Sequence, residues 1–253
     1  MQLVANRASD YAIVVGREAL PSERYAAEEL QRSLEAISGA VLPIVDDEGE
    51  GRTHEILVGD GLRLRALGID LAAADLGKEG FLLRTVGPRL VLAGGRPRGT
   101  LYAVYTFLEE QLGCRWFTPN VSRIPKQSVI ALDQIDRRIV PILEWREPRC
   151  GDLEVHGDWS ARNKHYGRFT HLEERHGDKL HWEHFVHTFY PLVPPATYWD
   201  EHPEYFSEIN GQRTTYLAQL CLSNPDVLQL VIEGVRRWME EDPASSVVSV
   251  SQN

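Results

Sequence analysis

The spacing of apolar and polar residues predicts a mixed α/β domain in the first half of the chain. Apolar residues recur at helical spacing on one face of Pro21–Ser38, and Gly39 follows where a helix would end. Short apolar runs predict strands, and the Gly87-Pro88 pair between two of them is typical of a hairpin. The strands predicted before residue 137 are Tyr11–Val15, Val41–Val45, Glu55–Gly59, Phe81–Val86, Arg89–Ala93 and Val129–Leu132.

Residues 90–119 predict a complete strand–turn–helix–strand unit. The strand that ends at Ala93 leads into two glycines, which allow a sharp turn. A helix is predicted from Leu101, and Gly113 marks its end before the short strand Arg115–Phe117. This unit completes a predicted layer of two helices on a sheet of about five or six strands.

The glycines of this unit, Gly94, Gly95 and Gly99, invite comparison with phosphate-binding loops. Their spacing matches neither the dinucleotide-binding fingerprint nor the P-loop. We therefore expect a packing turn, with Arg96 and Arg98 either solvated or lying between domains.

A change in composition near residue 137 predicts a domain boundary. Residues 1–137 are expected to form a two-layer α+β domain of mixed strand direction. Beyond the boundary lie eight of the nine histidines and long, aromatic-rich loops such as Gly151–Asp178. Loops of this length inside a compact fold are usually functional. We therefore divide the chain into domains at 1–137 and 138–253.

The last third of the chain predicts part of a parallel sheet or barrel. Leu220–Leu222 is strand-like, Asn224-Pro225 is typical of a helix start, and Val247–Val250 is a second apolar run. A strand, a helix and a strand at this spacing form a βα unit. A (β/α)₈ barrel needs about 200–250 residues, whereas about 115 follow the boundary. We therefore expect a truncated barrel of about three strands, so that the chain is a fragment.

The charge and the composition argue against several classes of function. The formal net charge is −10 over 253 residues, and Lys and Arg are scattered, so we expect no nucleic-acid partner. We recognise no signal peptide and no apolar run long enough to span a bilayer, and we expect a cytoplasmic protein without a membrane partner. Cys114, Cys150 and Cys221 form neither a disulfide framework nor a zinc pattern, and we expect buried thiols.

Two sets of motifs resemble carbohydrate-active families. Gly94–Tyr105 together with Gly113–Phe117 resembles the N-terminal domain of family 67 α-glucuronidases, and the accessory α/β domain of family 20 β-hexosaminidases is similar. A second set resembles the DUF4838 proteins. It consists of His187-Thr188-Phe189, His202–Phe206, Asn210–Arg213, Gln219–Pro225 and Val248–Asn253. The resemblance implies a small domain beside a (β/α)₈ barrel that carries the chemistry.

Trp145 and Arg146 are candidate sugar contacts. They follow the apolar pair Ile142-Leu143, where a first barrel strand would reach the active face. Sugars are held by aromatic rings against their C–H faces and by polar groups around their hydroxyls. A core tryptophan and a structural ion pair would explain the same two residues equally well.

The histidines His181, His184 and His187 invite a metal interpretation because they are spaced by three residues. On a strand, however, His184 would face away from the other two, and no HExxH pattern is present. We therefore expect no metal site. His187, in the His-Thr-Phe motif, is instead expected to donate or accept hydrogen bonds at a strand end and to contact substrate.

Three further residues are candidate substrate contacts: Glu204, Arg213 and Asn253. The first two flank Asn210-Gly211, a strong hairpin signal, so most residues there are expected to form and pack a small hairpin. Asn253 would lie at the end of a third barrel strand.

The catalytic residues are left unassigned. Glycoside hydrolysis needs two carboxyl groups, and those of the related enzymes lie on later strands than this chain contains. Surface carboxylates are common, so the early ones, Glu144, Glu147, Asp200 and Glu204, are weak candidates for such a pair.

The resemblance implies the N-terminal portion of a glycoside hydrolase-like protein that acts on an oligo- or polysaccharide. Full-length protein would hydrolyse a glycosidic bond by acid/base catalysis without a cofactor, whereas the fragment is expected to be inactive. The alternative is a non-catalytic carbohydrate-binding or interaction module. The sequence indicates neither which sugar is bound nor which oligomeric state the protein adopts.

Overall fold

The structure, a computed structural model, describes all 253 residues. It divides into two compact units, Met1–Lys179 and Leu180–Asn253. The domain boundary near residue 137 stays a prediction. Strand pairing continues past that residue, and the second compact unit begins only at Leu180.

The first unit contains ten strands and four helices. The helices are α1 (Pro21–Ser38), α2 (Leu62–Ala66), α3 (Gly99–Glu110) and α4 (Gly157–Arg162). The strands are β1 (Gln2–Ala5), β2 (Ala12–Val15), β3 (Ile44–Asp46), β4 (Glu55–Val58), β5 (Phe81–Val86), β6 (Arg89–Gly94), β7 (Arg115–Thr118), β8 (Val121–Arg123), β9 (Val129–Ala131) and β10 (Asp136–Ile139). The prediction of a mixed α/β unit is confirmed, and β1, β8, β10 and α2 were not predicted.

A six-stranded sheet in the order β10-β5-β6-β4-β2-β3 organises this unit. The strands β2, β3, β4 and β6 are parallel, whereas β5 and β6 form the predicted antiparallel hairpin. The strand β10 pairs antiparallel with the outer edge of β5. The remaining strands form two separate antiparallel pairs, β1 with β9 and β7 with β8.

The sheet is covered on both faces, which corrects the predicted two-layer arrangement. Val14, Leu57 and Val91 point to one face and pack with Leu64 and Leu76, from α2 and the loop that follows it. The helices α1 and α3, none of whose residues belongs to this cluster, contact β2 and β6 and pack on the other face. Every side chain of β2 and β4 is therefore buried, as expected for central parallel strands.

Helix α1 begins and ends at the predicted residues because both ends carry strong local signals. Glu23 accepts a hydrogen bond from the backbone N–H of Leu20 at 2.8 Å, which satisfies a donor at the first turn. At the other end Gly39 adopts a left-handed conformation with φ of 78° and its N–H bonds to the carbonyl of Glu35. These contacts set the residues at which the helix begins and ends.

The glycines of the turn after β6 are required by close backbone packing. A Cβ on Gly94 or Gly99 would overlap the carbonyl oxygen of Gly80, and one on Gly95 would overlap that of Gly77. The N–H of Gly95 donates to the carbonyl of Gly80 at 2.8 Å, so the two loops are joined as well as close. The predicted packing turn is confirmed at this position.

We predict that Gly95→Ala lowers the free energy of unfolding by about 2 kcal/mol or more, because the backbone around Gly77 must move to admit the methyl group. Urea denaturation followed by circular dichroism measures the change. Gly49→Ala is the matched control, since no atom lies within 4 Å of its Cβ position. That variant should shift stability by less than about 0.5 kcal/mol, and equal effects of the two changes would contradict the packing role of the turn.

The segment after β10 departs from the prediction. Ile142 and Leu143, expected in a first barrel strand, lie in no strand and are exposed by 99% and 65%. A parallel strand needs neighbours on both sides, and nothing pairs with these residues. The loop Gly151–Asp178 contains α4 and two 3-10 turns, at Gly151–Glu154 and Glu174–His176.

Asp158 on α4 links that helix to α1 and to the second 3-10 turn. Its Oδ1 accepts a hydrogen bond from the Tyr25 hydroxyl at 2.8 Å and lies 2.9 Å from Nε2 of the buried His176 and 3.1 Å from Nη2 of Arg175. The hydrogen bond with His176, helped by Tyr25 and the charge of Arg175, holds the pKa of Asp158 well below its ordinary value in spite of partial burial.

A carboxyl group whose pKa is lowered by folding stabilises the folded state at any pH above the pKa of the unfolded chain. That stabilisation is lost as the pH falls from the unfolded-state pKa towards the lower folded-state pKa. We predict that Asp158→Asn is most destabilising near neutral pH and that its difference from wild type shrinks below about pH 4. Urea titrations over a pH series measure this. Asp136→Asn, which breaks an exposed pair with Arg84, is the control and should cost less than about 1 kcal/mol throughout. A difference for Asp158→Asn that grows in acid would contradict the assignment.

The second unit contains three helices and one hairpin. They are α5 (Phe189–Leu192), α6 (Pro195–Tyr198), β11 (Glu208–Ile209), β12 (Gln212–Arg213) and α7 (Pro225–Glu241). Asn210 and Gly211 both have positive φ, as a tight hairpin turn requires, and the predicted hairpin is confirmed. Tyr205 and Phe206 are buried in an apolar cluster that also contains Trp238 but no hairpin residue, so their packing of the hairpin stays a prediction.

Two predicted strands of the second unit are wrong. Within Leu220–Leu222 the structure has only an isolated bridge between Leu220 and Phe206, and residues 247–250 form no strand. Helix α7 forms as predicted, because the Asn224 side chain accepts from the N–H groups of its first turn. The helix has a local cap, whereas the strands depend on neighbouring strands that the unit does not supply.

The prediction of buried thiols holds only for Cys114, since Cys150 is exposed and Cys221 is partly exposed. None of the helices is both long and apolar enough to cross a membrane.

Candidate functional site

A cleft of about 440 Å³ in the first unit contains the predicted sugar contact Arg146. One wall is apolar and is formed by Phe81, Ile139 and Pro141. The polar side chains that line the cleft are Tyr102, Thr106, Glu110, Arg137, Arg146, Asn163, Lys164 and His165. This volume and this mixture of surfaces are typical of small-molecule sites.

Arg146 is held in the cleft by several acceptors. Its Nη1 donates to Oε2 of Glu79 at 2.7 Å, and its Nε donates to the carbonyl of Lys164 at 2.9 Å. The guanidinium lies over the ring of Tyr102, 5.6 Å from its centre. Burial alone would lower the pKa of Arg146, but the hydrogen bond and charge of Glu79 outweigh it and raise that pKa. The structural ion pair that the sequence analysis gave as one explanation of Arg146 is therefore present, and it orients the Arg146 side chain.

Glu79 is shared by two arginines. Its Oε1 accepts from Nε of Arg98 at 2.8 Å while Oε2 accepts from Arg146, and Glu79 and Arg98 are both buried. Arg98 also stacks on the ring of Tyr166 at 3.7 Å and donates to the carbonyl of Gly177 at 3.0 Å. Arg98 thus joins the start of α3 to the loop that contains Gly177, within the first unit, and its predicted position between domains stays a prediction. The half-exposed Arg96 pairs with Glu23 instead.

Two more cations line the same cleft, and two of its lining residues each have an unpartnered polar atom. Lys164 pairs with Glu109 at 3.0 Å, and Arg137 pairs with Glu110. The Oγ1 of Thr106 and the Nδ1 of His165 are buried without a hydrogen-bond partner. Burial, and then the charge of Arg146, lower the pKa of His165, so its ring is neutral at neutral pH.

Trp145 is half exposed beside the cleft residue Arg146. Its Nε1 donates to Oε2 of Glu147 at 3.1 Å, and the backbone N–H of Phe169 donates to the other carboxylate oxygen of Glu147. A half-exposed aromatic ring held through its N–H is suited to a sugar contact, and this role for Trp145 stays a prediction.

In the second unit the structure brings His187 and Asn253 together. The N–H of His187 donates to Ser251 Oγ at 3.0 Å, and its Nδ1 lies 3.2 Å from the carbonyl of Gln252. The Asn253 side chain accepts from the N–H of Tyr190 at 3.2 Å, and its backbone pairs twice with Gln219. The two predicted residues therefore belong to one hydrogen-bonded corner of the unit.

Glu204 and Arg213 lie near the hairpin and hold local structure. A backbone hydrogen bond, and then His202 at 3.0 Å, lower the pKa of Glu204, with a further contribution from the charge of Arg213. Arg213 donates to the carbonyl of Phe206 at 2.8 Å and pairs with Glu208 at 3.4 Å. Substrate contact by either residue stays a prediction.

The three spaced histidines have separate surroundings. His181 pairs with Asp242 at 2.9 Å, and His184 stacks on Trp238 with ring centres 3.7 Å apart. His187 contacts the Ser251–Gln252 backbone, as described above. No group of His, Cys, Asp and Glu side chains in the structure is arranged to hold a metal ion.

Sequence reasoning missed Glu79, Thr106, Lys164 and His165. Glu79 is a single acid between two glycines, and Thr106 lies within an apolar helix, so neither stands out from its neighbours. The polar run Asn163–His165 in the middle of a long aromatic loop was the one available signal.

The family profile described as "Domain of unknown function (DUF4838)" matches residues 116–253, which is more than half of the chain. The chain belongs to the DUF4838 family. Residues 3–107 match the profile described as "Glycosyl hydrolase family 67 N-terminus". Both matches confirm the resemblance that the motifs indicated, and they give this DUF4838 protein a glycoside hydrolase-related N-terminal domain.

Among solved structures, one neighbour of this DUF4838 protein is described as "A novel family GH115 4-O-Methyl-alpha-glucuronidase, BtGH115A, with specificity for decorated arabinogalactans". The likeness covers 94% of this chain with a TM-score of 0.50 and 16% identity, so it shows the fold alone. The chain spans 35% of the length of that structure. No curated protein sequence matches the chain.

We predict that Glu79→Gln destabilises this DUF4838 protein by about 3–5 kcal/mol, because the buried Arg98 and Arg146 lose their shared charge. Thermal and urea unfolding measure the change. Glu48→Gln removes the same charge from the exposed pair with Arg17 and should cost less than about 1 kcal/mol. A Glu79 variant as stable as the Glu48 variant would show that the buried pair is dispensable.

Proposed function

We propose that this DUF4838 protein is the N-terminal portion of a glycoside hydrolase-like protein that acts on carbohydrate in the cytoplasm. The observation that carries the proposal is the fold likeness, which runs through 94% of the chain and corresponds to 35% of a 4-O-methyl-α-glucuronidase. The match of residues 3–107 to the family 67 N-terminus supports the same class of substrate. The full-length reaction would be α-glucuronidase- or hexosaminidase-like hydrolysis of a glycosidic bond.

The second part of the proposal is that residues 138–253 form the first part of a (β/α)₈ barrel. Helix α7 supports it, because Leu228, Ile232 and Met239 form an exposed apolar stripe along one side of the helix. Further strands and helices of a barrel would cover such a stripe. Residues 246–249 already make two backbone hydrogen bonds to residues 181–184, and further strands would extend them into a ladder.

Acid/base hydrolysis needs one carboxyl group that protonates the leaving oxygen and a second that activates water or attacks the sugar. Among the weak candidates, Glu147 accepts hydrogen bonds from Trp145 and from the Phe169 N–H. Glu204 has a lowered pKa, which makes it a poor proton donor. Neither residue is therefore favoured as the acid, and we propose that the catalytic pair lies in a part of the full-length protein outside this chain.

The alternative function, a carbohydrate-binding or interaction module without catalysis, is favoured by one observation. The cleft around Arg146 is built entirely within the first unit and needs no catalytic strand to exist. Both functions share a carbohydrate ligand, and they differ in whether the complete reading frame encodes an active hydrolase.

We predict that the 253-residue chain does not hydrolyse aryl glycosides of glucuronic acid or N-acetylglucosamine, and that the product of the complete reading frame hydrolyses at least one of them. A discontinuous assay for the released aryl group measures both. Turnover by the chain alone would contradict the placement of the catalytic pair. An inactive full-length product that still binds oligosaccharide would favour the binding module.

A further inference from the structure

His187 in the second unit has a backbone conformation that needs support from its surroundings. Its φ is 61°, in the left-handed region where residues other than glycine are uncommon. Such conformations cost free energy, persist only where the surrounding contacts hold them, and cluster at functional sites. The contacts that hold His187 are therefore the place to look for a role.

Ser251 supplies that support. Its Oγ accepts a hydrogen bond from the N–H of His187 at 3.0 Å, and its carbonyl accepts from the N–H groups of Thr188 and Phe189, each at 3.1 Å. The N–H of Ser251 in turn donates to Thr188 Oγ1 at 2.9 Å. One serine thus bonds to three consecutive backbone N–H groups, which fixes the direction in which the His187 side chain leaves the chain.

The imidazole ring of His187 is fixed in one tautomer as well. Its Nδ1 lies 3.2 Å from the carbonyl oxygen of Gln252. A carbonyl oxygen can only accept, so the proton of the neutral ring lies on Nδ1 and leaves Nε2 as an acceptor. The side chain is exposed, and Nε2 has no hydrogen-bond partner. His187 therefore presents an oriented acceptor to solvent.

This acceptor lies where parallel segments of the second unit end. The segments that lead to it run side by side in one direction, because the N–H of Ser246 donates to the carbonyl of His181 at 3.1 Å and that of Ser249 to the carbonyl of His184 at 3.0 Å. Ligands of parallel α/β folds bind outside the carboxyl ends of such segments.

Resting on the carbohydrate ligand put forward above, we propose that His187 contacts the sugar through Nε2, which accepts a hydrogen bond from a hydroxyl group, and that Ser251 is its positioning residue. Because a neutral Nε2 accepts and does not donate, this position selects a hydroxyl group over a carboxylate. Asn253 bonds to Tyr190 and Gln219 at the same corner, and these three side chains carry no charge, which suits an uncharged part of a sugar.

Nuclear magnetic resonance of the purified chain with ¹⁵N-labelled histidine tests the positioning at about pH 8, where an ordinary histidine is neutral. We expect the proton of His187 on Nδ1, and a mixture of both tautomers in Ser251→Ala. Ser245→Ala is the matched control, since Ser245 joins the same two segments through Glu183 and does not contact His187. A proton on Nε2, or an unchanged tautomer in Ser251→Ala, would overturn the assignment.

Titration of the same labelled chain with neutral sugars tests the contact. Cellotriose, xylotriose and galactotriose are the probes, and calorimetry measures whether each one binds. We expect at least one to shift the Nε2 resonance of His187 and to leave that of His202, which is paired with Glu204, unchanged. Binding that leaves His187 unmoved would overturn this inference alone. No binding of any probe at about 10 mM would overturn the carbohydrate ligand as well.

Two substitutions of His187 separate contact with the sugar from a structural role. Asparagine suits the left-handed backbone and keeps an N–H near the position of Nδ1, but it places no atom at Nε2. His187→Asn should therefore keep or raise the melting temperature while weakening binding of the trisaccharide about threefold to tenfold.

His187→Gln is the rescue variant, because the longer amide places its oxygen near the position of Nε2. It should bind the trisaccharide within about twofold of wild type, since the hydrogen bond that His187→Asn loses is replaced. Unchanged affinity in His187→Asn, or equal losses in the two variants, would overturn the contact through Nε2.

Discussion

The carboxylate of Glu79, buried between Arg98 and Arg146, is the interaction on which the first unit depends. It joins three segments that are far apart in the sequence: the loop before β5, the start of α3 and the segment after β10. Desolvating three charges is costly, and well-packed apolar residues could be as stable. The gain is in geometry, because the carboxylate can accept from both guanidinium groups only when all three segments are in place.

The glycine turn makes this ion pair possible. Because Gly94, Gly95 and Gly99 have no side chains, the loop at Gly77–Gly80 approaches them closely enough for backbone hydrogen bonds. The N–H of Arg98 donates to the carbonyl of Lys78 at 3.2 Å, which brings its side chain beside Glu79. The motif that carries the family resemblance therefore acts through Arg98 on the wall of the cleft, and it also contributes Tyr102 to the lining.

The parts of the fold that could be predicted from the sequence are those with local causes. Helix α1 follows from its apolar face and its left-handed Gly39, helix α7 from its Asn224 cap, and the hairpin from Asn210-Gly211. Each signal lies within a few residues of the structure that it specifies. The terminal strands predicted for the second unit failed because a strand is defined by its partners, which no local pattern reports.

The residues of the candidate site divide in the same way, into those with a local signal in the sequence and those without one. Arg146 was identified from its place after an apolar pair, but its partner Glu79 precedes it by 67 positions and follows no recognisable spacing. Thr106 and His165 matter only because nothing bonds to them, which is a property of the folded structure alone. A sequence can thus nominate a charged residue, whereas an unsatisfied group becomes visible only once its neighbours are placed.

The carboxyl groups of the chain whose pKa departs from its ordinary value do not behave as general acids. Those whose pKa departs from its ordinary value, Glu29, Asp158 and Glu204, all have it lowered. Burial opposes this in Glu29, but hydrogen bonds from Arg162 and Arg32 prevail, as the bonds of His176 do for Asp158. A general acid needs the opposite, a carboxyl group whose pKa is raised by an apolar or like-charged environment. Carboxylates held ionised by arginine and histidine act instead as links between segments, as Asp158 does between α1, α4 and the second 3-10 turn.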